Sequence, residues 1–206
     1  MERRYMHYSS SQKILLVGEG DFSFATCLGK EFGSAANMVA TSLDSEATLK
    51  AKYSDDVLFN LSDLKRRGCI LLHEVDVHTM RYHPGLINKL FDRIVFNFPH
   101  AGFSDSEFSH SQIELHKNLV KGYFRSAHQM LSNCGEIHVT HKTTWPFNEW
   151  NIVELAENVG LFLVEEAFFS ILFYPGYQNK RGDGNRSHFN FRVGNSSTFK
   201  FAKKLN

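Results

Sequence analysis

Cysteine is scarce. The chain has three, Cys27, Cys69 and Cys134, an odd number lying far apart, which excludes a disulfide framework and suits free thiols in a reducing compartment. An excess of charge of one sign is also missing. With 23 Lys+Arg against 22 Asp+Glu and a net charge of +1, no global field draws polyanions, so a histone-like binder is excluded and any nucleic-acid contact must come from a local patch. No apolar run approaches the roughly eighteen residues of a membrane span. The start Met1-Glu2-Arg3-Arg4-Tyr5 leads into no signal-peptide apolar stretch, so the expectation is a soluble protein of nucleus or cytosol. Glycine and proline, 14 and 4 residues, are too few for a low-complexity chain. There is no Cys-x-x-Cys and no histidine pair at i, i+4, so no metal is expected despite 11 histidines. A serine hydrolase is unsupported because no Gly-x-Ser-x-Gly elbow occurs.

What is present is a chain of 206 residues, 42% hydrophobic, enough for one domain with a real core. Residues 1–12 read as a polar N-terminal tail and 13–206 as a single domain. Lys13–Val17 is a continuous apolar run ended by Gly18, the pattern of a strand buried on both faces. Phe22–Phe32 follows as a helix stopped by Gly33. Further strands are expected at Met38–Leu43, Ile70–Val75, Arg93–Phe96, Glu136–Thr140 and Leu161–Phe173. Helices are expected at Tyr53–Gly68, at Ser111–Leu131 with Gly135 closing it, and at Glu149–Val159. Such alternation predicts an α/β, mostly parallel, doubly wound sheet with helices on both faces. The last segment, Ser197–Phe201, has no helix before it and is expected to enter antiparallel as the seventh strand.

Ligands of such sheets bind beyond the carboxyl ends of the strands. There the sequence offers Gly18-Glu19-Gly20-Asp21-Phe22-Ser23, a turn that permits close backbone approach and precedes a helix whose free N–H groups can hold a carboxylate or phosphate. Ser23 stands where a dinucleotide fingerprint wants its third glycine. Asp44 and Asp76 end the next two strands: either they accept from a ribose and an adenine amino group, or they cap helices. Asn97-Phe98-Pro99-His100 either grips the edge of a planar base or forms a plain turn. His141, Lys142, Lys180, Arg181 and Arg186 follow the fifth and sixth strands and would form a basic rim, with Trp145 and Tyr177 available for stacking.

With these loops in hand, the sequence resembles the eukaryotic ribosomal-RNA uracil-N3 methyltransferase family, a branch of the Rossmann-like S-adenosylmethionine-dependent methyltransferases. The similarity runs from about Lys13 to Lys203 and is carried by residues 14–25, 41–45, 75–77, 91–100 and 174–177. It implies the Rossmann-like methyltransferase fold and S-adenosylmethionine as cofactor, held by Gly18, Glu19, Gly20, Asp21, Phe22 and Ser23, with Asp44 at the ribose and Asp76 near adenine. It implies an RNA substrate in the large ribosomal subunit, hence a nuclear or nucleolar protein, the cytoplasm being second. Asn97, Pro99 and His100 would face the acceptor base, with His100 the candidate general base because imidazole ordinarily titrates near neutrality. The chain is close to a bare catalytic domain without a long basic extension, so a protein partner for RNA binding is an open expectation. A second reading is a non-catalytic Rossmann-like module that holds RNA or protein without turnover. A nicotinamide oxidoreductase is disfavoured by Ser23 and by the lack of an evident hydride-site acid or base.

Overall fold

The computed structural model describes residues 1–204. Its centre is β3 (Ile14–Val17), four consecutive residues with no solvent-facing side. Alternation makes both faces apolar: Ile14 and Leu16 enter one core cluster, Leu15 and Val17 the other. Each such fully buried aliphatic side chain contributes about 1.5–3 kcal/mol. On one side β3 pairs in parallel with β4 (Met38–Thr41), which pairs with β5 (Ile70–Leu72); on the other it pairs with β6 (Phe91–Asn97), then β7 (Leu131–Lys142). Strand β9 (Ser196–Lys203) inserts antiparallel between β7 and β8 (Leu161–Phe168), giving the order β5-β4-β3-β6-β7-β9-β8. The seven-stranded, mostly parallel sheet with an antiparallel last strand is therefore as expected.

Helices α1 (Ser23–Phe32) and α2 (Glu46–Arg66) pack on the face carrying Ile14 and Leu16. Helices α3 (His110–Met130) and α4 (Ile152–Glu157) cover the opposite face through Val120, Tyr123, Phe124, Leu155 and Ala156. The direction of winding reverses between β3 and β6, and that reversal opens a crevice at their carboxyl ends.

Several expectations need correction. Residues 1–12 are not a free tail: Arg4–Tyr5 (β1) and Tyr8–Ser9 (β2) form a small antiparallel ribbon. Tyr8 is buried in the core, and the Tyr5 hydroxyl donates to the Phe173 carbonyl at 2.6 Å. Helix α2 starts at Glu46 rather than Tyr53, because Ser45 caps it by accepting the Thr48 N–H at 3.1 Å. Gly135 does not close α3. The chain passes from Met130 directly into β7, and Gly135 lies inside that strand. The strand expected over Leu161–Phe173 ends at Phe168, with a 3-10 turn at Ile171–Phe173, and the helix expected over Glu149–Val159 is a 3-10 turn, Phe147–Trp150, followed by α4. Cys27 and Cys69 are buried, Cys134 is exposed, and all three are unpaired. No helix among the described residues is long and apolar enough to cross a membrane.

Candidate active site

The turn after β3 is shaped by Gly18, whose φ of +65° disfavours any side chain and whose missing Cβ would lie 2.4 Å from the Phe96 ring. Glu19 then folds back over the start of α1, where its buried Oε2 accepts the Ala25 N–H at 3.1 Å. Burial pushes the Glu19 carboxyl up to about 8, against the opposing pull of that N–H. Asp21 Oδ1 accepts both the N–H (3.0 Å) and the hydroxyl (2.6 Å) of Ser23. Burial raises the Asp21 pKa, and the bonds from Ser23 partly offset this. Two N–H groups at the start of α1 are thus answered by acids of the chain itself. This corrects the expectation of free donors for a phosphate. Phe22, expected to line the site, is instead fully buried in the core.

Gly20 faces a partly enclosed space. A Cβ there would meet the Tyr53 hydroxyl at 3.3 Å and the Lys180 Cβ at 4.0 Å. That hydroxyl is buried and has no hydrogen-bond partner. Asp44 is not the cap of α2, a role Ser45 takes. Its carboxylate is gripped by Lys52 Nζ at 3.0 and 2.8 Å, and the same ammonium donates to the Gly182 carbonyl at 3.0 Å. Asp76 behaves differently: it is exposed, and its Oδ1 accepts the His78 N–H at 2.8 Å, a local turn-capping bond.

A second space lies beyond β6 and β7. It is a cavity of about 170 Å³ whose walls include Phe98, Pro99, His100, Phe103, Phe147, Trp150 and Phe191, with Lys142, Lys180, Arg181, Glu107 and His141 as its ionisable groups. Cavities of about 150 Å³ accept one six-membered ring. Asn97 ends β6, half-buried, and Pro99 is buried. The loop turns sharply at Phe98 (φ +49°), whose ring packs edge-on against Phe169 and Phe191.

His100 is held at both ring nitrogens. Nδ1 accepts the Gly102 N–H at 3.1 Å, so in the neutral ring Nε2 carries the proton and donates to Glu107 Oε1 at 2.6 Å. His116, fully buried on α3, repeats the pattern: Nδ1 accepts from Ala101 N–H, and Nε2 lies 3.2 Å from Glu107 Oε2. Burial alone would raise the Glu107 pKa, but the two imidazole hydrogen bonds outweigh it and hold the carboxyl down at about 2. These three side chains are close enough to share a metal ion. The backbone donors argue otherwise. A metal on either Nε2 would force that ring's proton onto Nδ1, where an N–H already points.

The expected basic rim splits up. His141 is buried, donates from Nε2 to the Phe147 carbonyl at 3.0 Å, and is pushed by burial down to about 4, so it forms a neutral cavity wall. Lys142 Nζ lies over the rings of Phe147 (4.6 Å) and Phe191 (5.0 Å), and the Arg181 guanidinium over Phe103 (4.7 Å). Tyr177 packs on Phe24 beside the glycine turn, with Glu19 and Asp21 among the groups raising its pKa after burial itself, so it belongs to that turn and not to the rim. Trp145 is exposed and stacks on Phe108, ring centroids 5.0 Å apart, outside the cavity walls. Arg186 is exposed and takes no part in the cavity.

Lys52, Tyr53, Glu107, His116 and Phe191 were not anticipated. A Ser-x-x-Thr cap at Ser45 would have brought Lys52 and Tyr53 onto a helix facing Asp44. Glu107 and His116 carry no spacing signal, since they meet His100 only through the fold.

Comparison with known proteins places this geometry. A family model described as BMT5-like, rRNA (uridine-N3-)-methyltransferase BTM5-like, matches residues 15–181. An uncharacterised Arabidopsis thaliana protein is 53% identical over 98% of both chains. Heavy metal-associated isoprenylated plant protein 41 of the same species is 51% identical over 95% of this chain, which spans only 38% of that protein. The 25S rRNA (uridine(2634)-N(3))-methyltransferase of Saccharomyces cerevisiae is 25% identical, covering 86% of this chain and 68% of its own length. Among solved structures, the N-methyltransferase NodS of Bradyrhizobium japonicum, in complex with S-adenosyl-L-homocysteine, superposes with a TM-score of 0.52 at 12% identity, covering 93% of this chain and 78% of that one. The last likeness establishes the Rossmann-like methyltransferase fold, and the family match, spanning most of the sequence, establishes kinship: the chain belongs to the BMT5-like family of S-adenosylmethionine-dependent rRNA (uridine-N3-)-methyltransferases.

Proposed function

We propose that this chain methylates N3 of a uridine in large-subunit ribosomal RNA, with the cofactor at the Gly18–Ser23 turn and the base in the aromatic cavity beyond Asn97. The observation that carries the reading is the cavity itself. It has room for one pyrimidine ring, is walled by aromatic faces, lies beyond the carboxyl ends of β6 and β7, and shares Lys180 with the surroundings of Gly20. S-adenosylmethionine, when bound, supplies the methyl group. The residues present fit that cofactor: Gly20 brings bare backbone up to the unpartnered Tyr53 hydroxyl, where a Cβ would lie 3.3 Å from it, and Asp44, just beyond β4, offers a carboxylate. Glu19 and Asp21 at the start of α1 disfavour the pyrophosphate of a dinucleotide by occupying its donors.

Asn97 and Pro99 orient the base in this reading, the amide by hydrogen bonding and the proline by stiffening the loop. His100 positions the loop and stacks, since neither ring nitrogen has a free lone pair to take a proton from N3. The exposed Trp145–Phe108 pair, two residues before the cavity wall at Phe147, suits stacking of a neighbouring nucleotide. A nuclear or nucleolar site of action follows from a ribosomal RNA substrate and belongs to the same proposal. The test is incubation with labelled S-adenosylmethionine and large-subunit RNA lacking the modification, followed by nucleoside analysis. Labelled 3-methyluridine supports the reading, and label in another nucleoside, or none, ends it.

A further inference from the structure

Resting on that reading, we infer that Lys142 and Arg181 are catalytic: they bind the acceptor uridine as its N3 anion, so that the pocket promotes ionisation of the base without a side-chain general base. The cavity presents two cations to a ring that can carry charge on O2, N3 and O4. Neither Lys142 nor Arg181 forms an ion pair among the described residues, and Arg181 Nε is buried with no hydrogen-bond partner. Their charged heads lie over aromatic faces, Lys142 Nζ over Phe147 and Phe191 and the Arg181 guanidinium over Phe103, which holds both heads at the cavity.

Lys180 is a third cation of the cavity wall, and Glu107 is the one carboxylate. Both Glu107 oxygens are engaged by His100 and His116, and neither forms an ion pair with Lys142 or Arg181. His141 is neutral, and Asp183 Oδ2 is spent on the Phe103 N–H at 3.3 Å. Three cations on the cavity wall, against Glu107 in that wall and Asp183 beside Phe103, leave the pocket net positive towards a planar occupant. Burial lowers the Lys142 pKa, the mark of an ammonium deprived of water; Glu107 opposes that shift and the Arg181 charge adds to it.

The N3–H proton leaves to solvent, and the resulting anion is held by the two cations. N3 then forms its bond to the methyl carbon as the sulfur–methyl bond breaks, so the base anion and the sulfonium cation both end neutral. Methylation thereby removes the charge that held the base, and the product leaves more readily than the substrate.

Two measurements test this. The first reads ionisation without turnover, by fluorine NMR titration of a five-nucleotide RNA with one central 5-fluorouridine, added to the protein with S-adenosylhomocysteine. Wild-type protein should lower the apparent N3 pKa of the bound base by about one unit or more. Lys142→Gln should abolish the shift, and Lys142→Arg should keep it. An unshifted pKa on wild-type protein overturns the inference. The second compares single-turnover methylation of large-subunit RNA transcripts made with uridine or with the more acidic 5-fluorouridine. Lys142→Gln and Arg181→Gln should each slow the uridine transcript by roughly 10²-fold, as for loss of one preorganised stabilising group. The fluorinated transcript should recover most of that loss. Equal losses on both transcripts, with weaker RNA binding and a shallower salt dependence, would show that the cations hold phosphate and overturn the inference. If wild-type protein forms no 3-methyluridine, the uridine reading falls by itself, while the fluorine titration still decides whether the pocket ionises the base.

Discussion

The hydroxyl of Ser23 accepts the main-chain N–H of Gln178 at 2.9 Å while donating to Asp21, joining the first turn of the fold to a loop 155 residues away. Ser23→Ala leaves the partly buried Gln178 N–H without this acceptor and Asp21 Oδ1 with the Ser23 N–H alone. Stability should fall by about 1–3 kcal/mol in urea unfolding, and affinity for S-adenosylhomocysteine should fall with it. Unchanged values for both would make the Ser23 bond a dispensable surface contact.

Asp44 binds Lys52, so under the proposed assignment a cofactor ribose at Asp44 would share or replace that ammonium. Asp44→Ala should weaken S-adenosylhomocysteine by about 1–3 kcal/mol in calorimetry. Tighter binding of NADP than of S-adenosylhomocysteine by the wild-type protein would contradict the whole assignment of this turn.

Glu19 gives a pH signature. Its carboxyl titrates near 8 in the folded chain, above the ordinary value of 4.5, so the folded state holds the extra proton between those values. The stability this confers is complete below about pH 4.5 and is lost as pH rises through 8. Glu19→Gln keeps an acceptor for Ala25 and removes the titration. The stability difference between wild type and variant, followed by urea unfolding from pH 5 to 8.5, should shift steadily in favour of the variant. A constant difference would place the carboxyl in a solvated environment.

His100→Gln separates positioning from proton transfer. The imidazole is held by Gly102 and Glu107, so turnover should drop less than about tenfold and its pH profile should stay in place. A loss of about 10²–10⁴-fold with a flattened profile would return His100 to the role of general base.

The sheet was legible where strands are buried on both faces, since Ile14–Val17 and Met38–Thr41 are unbroken apolar runs. The antiparallel entry of β9 followed from the missing crossover helix. The ribbon at Arg4–Ser9 was not legible, because two-residue strands among polar residues carry no period. Gly135 misled because glycine after a helix usually stops it, and here β7 begins before the glycine is reached. In the site, Gly18 and Asp44 stood out by lying at strand ends. Phe22 was misplaced because its αL backbone turns the ring inward, and that conformation is silent in the sequence. Lys142 and Arg181 were placed on an outer rim. Only the loop carrying Phe191 closes over them and makes them pocket residues.

Strand β7 is hydrogen-bonded along both edges, to β6 as far as Asn97↔Thr140 and to β9 as far as Lys142↔Ser196. The loop opposite it, residues 178–191, has one bridge of its own, Lys180↔Asn190, with turn bonds, and is tied to the rest of the chain by isolated bonds from Gln178 to Ser23, Lys52 to Gly182 and Phe103 to Asp183. The cavity therefore has a floor held by continuous ladders and a roof held by separate tethers. On the proposed reading a nucleotide would enter past residues 178–191, and amide exchange is expected to change there on RNA binding before it changes at 137–142.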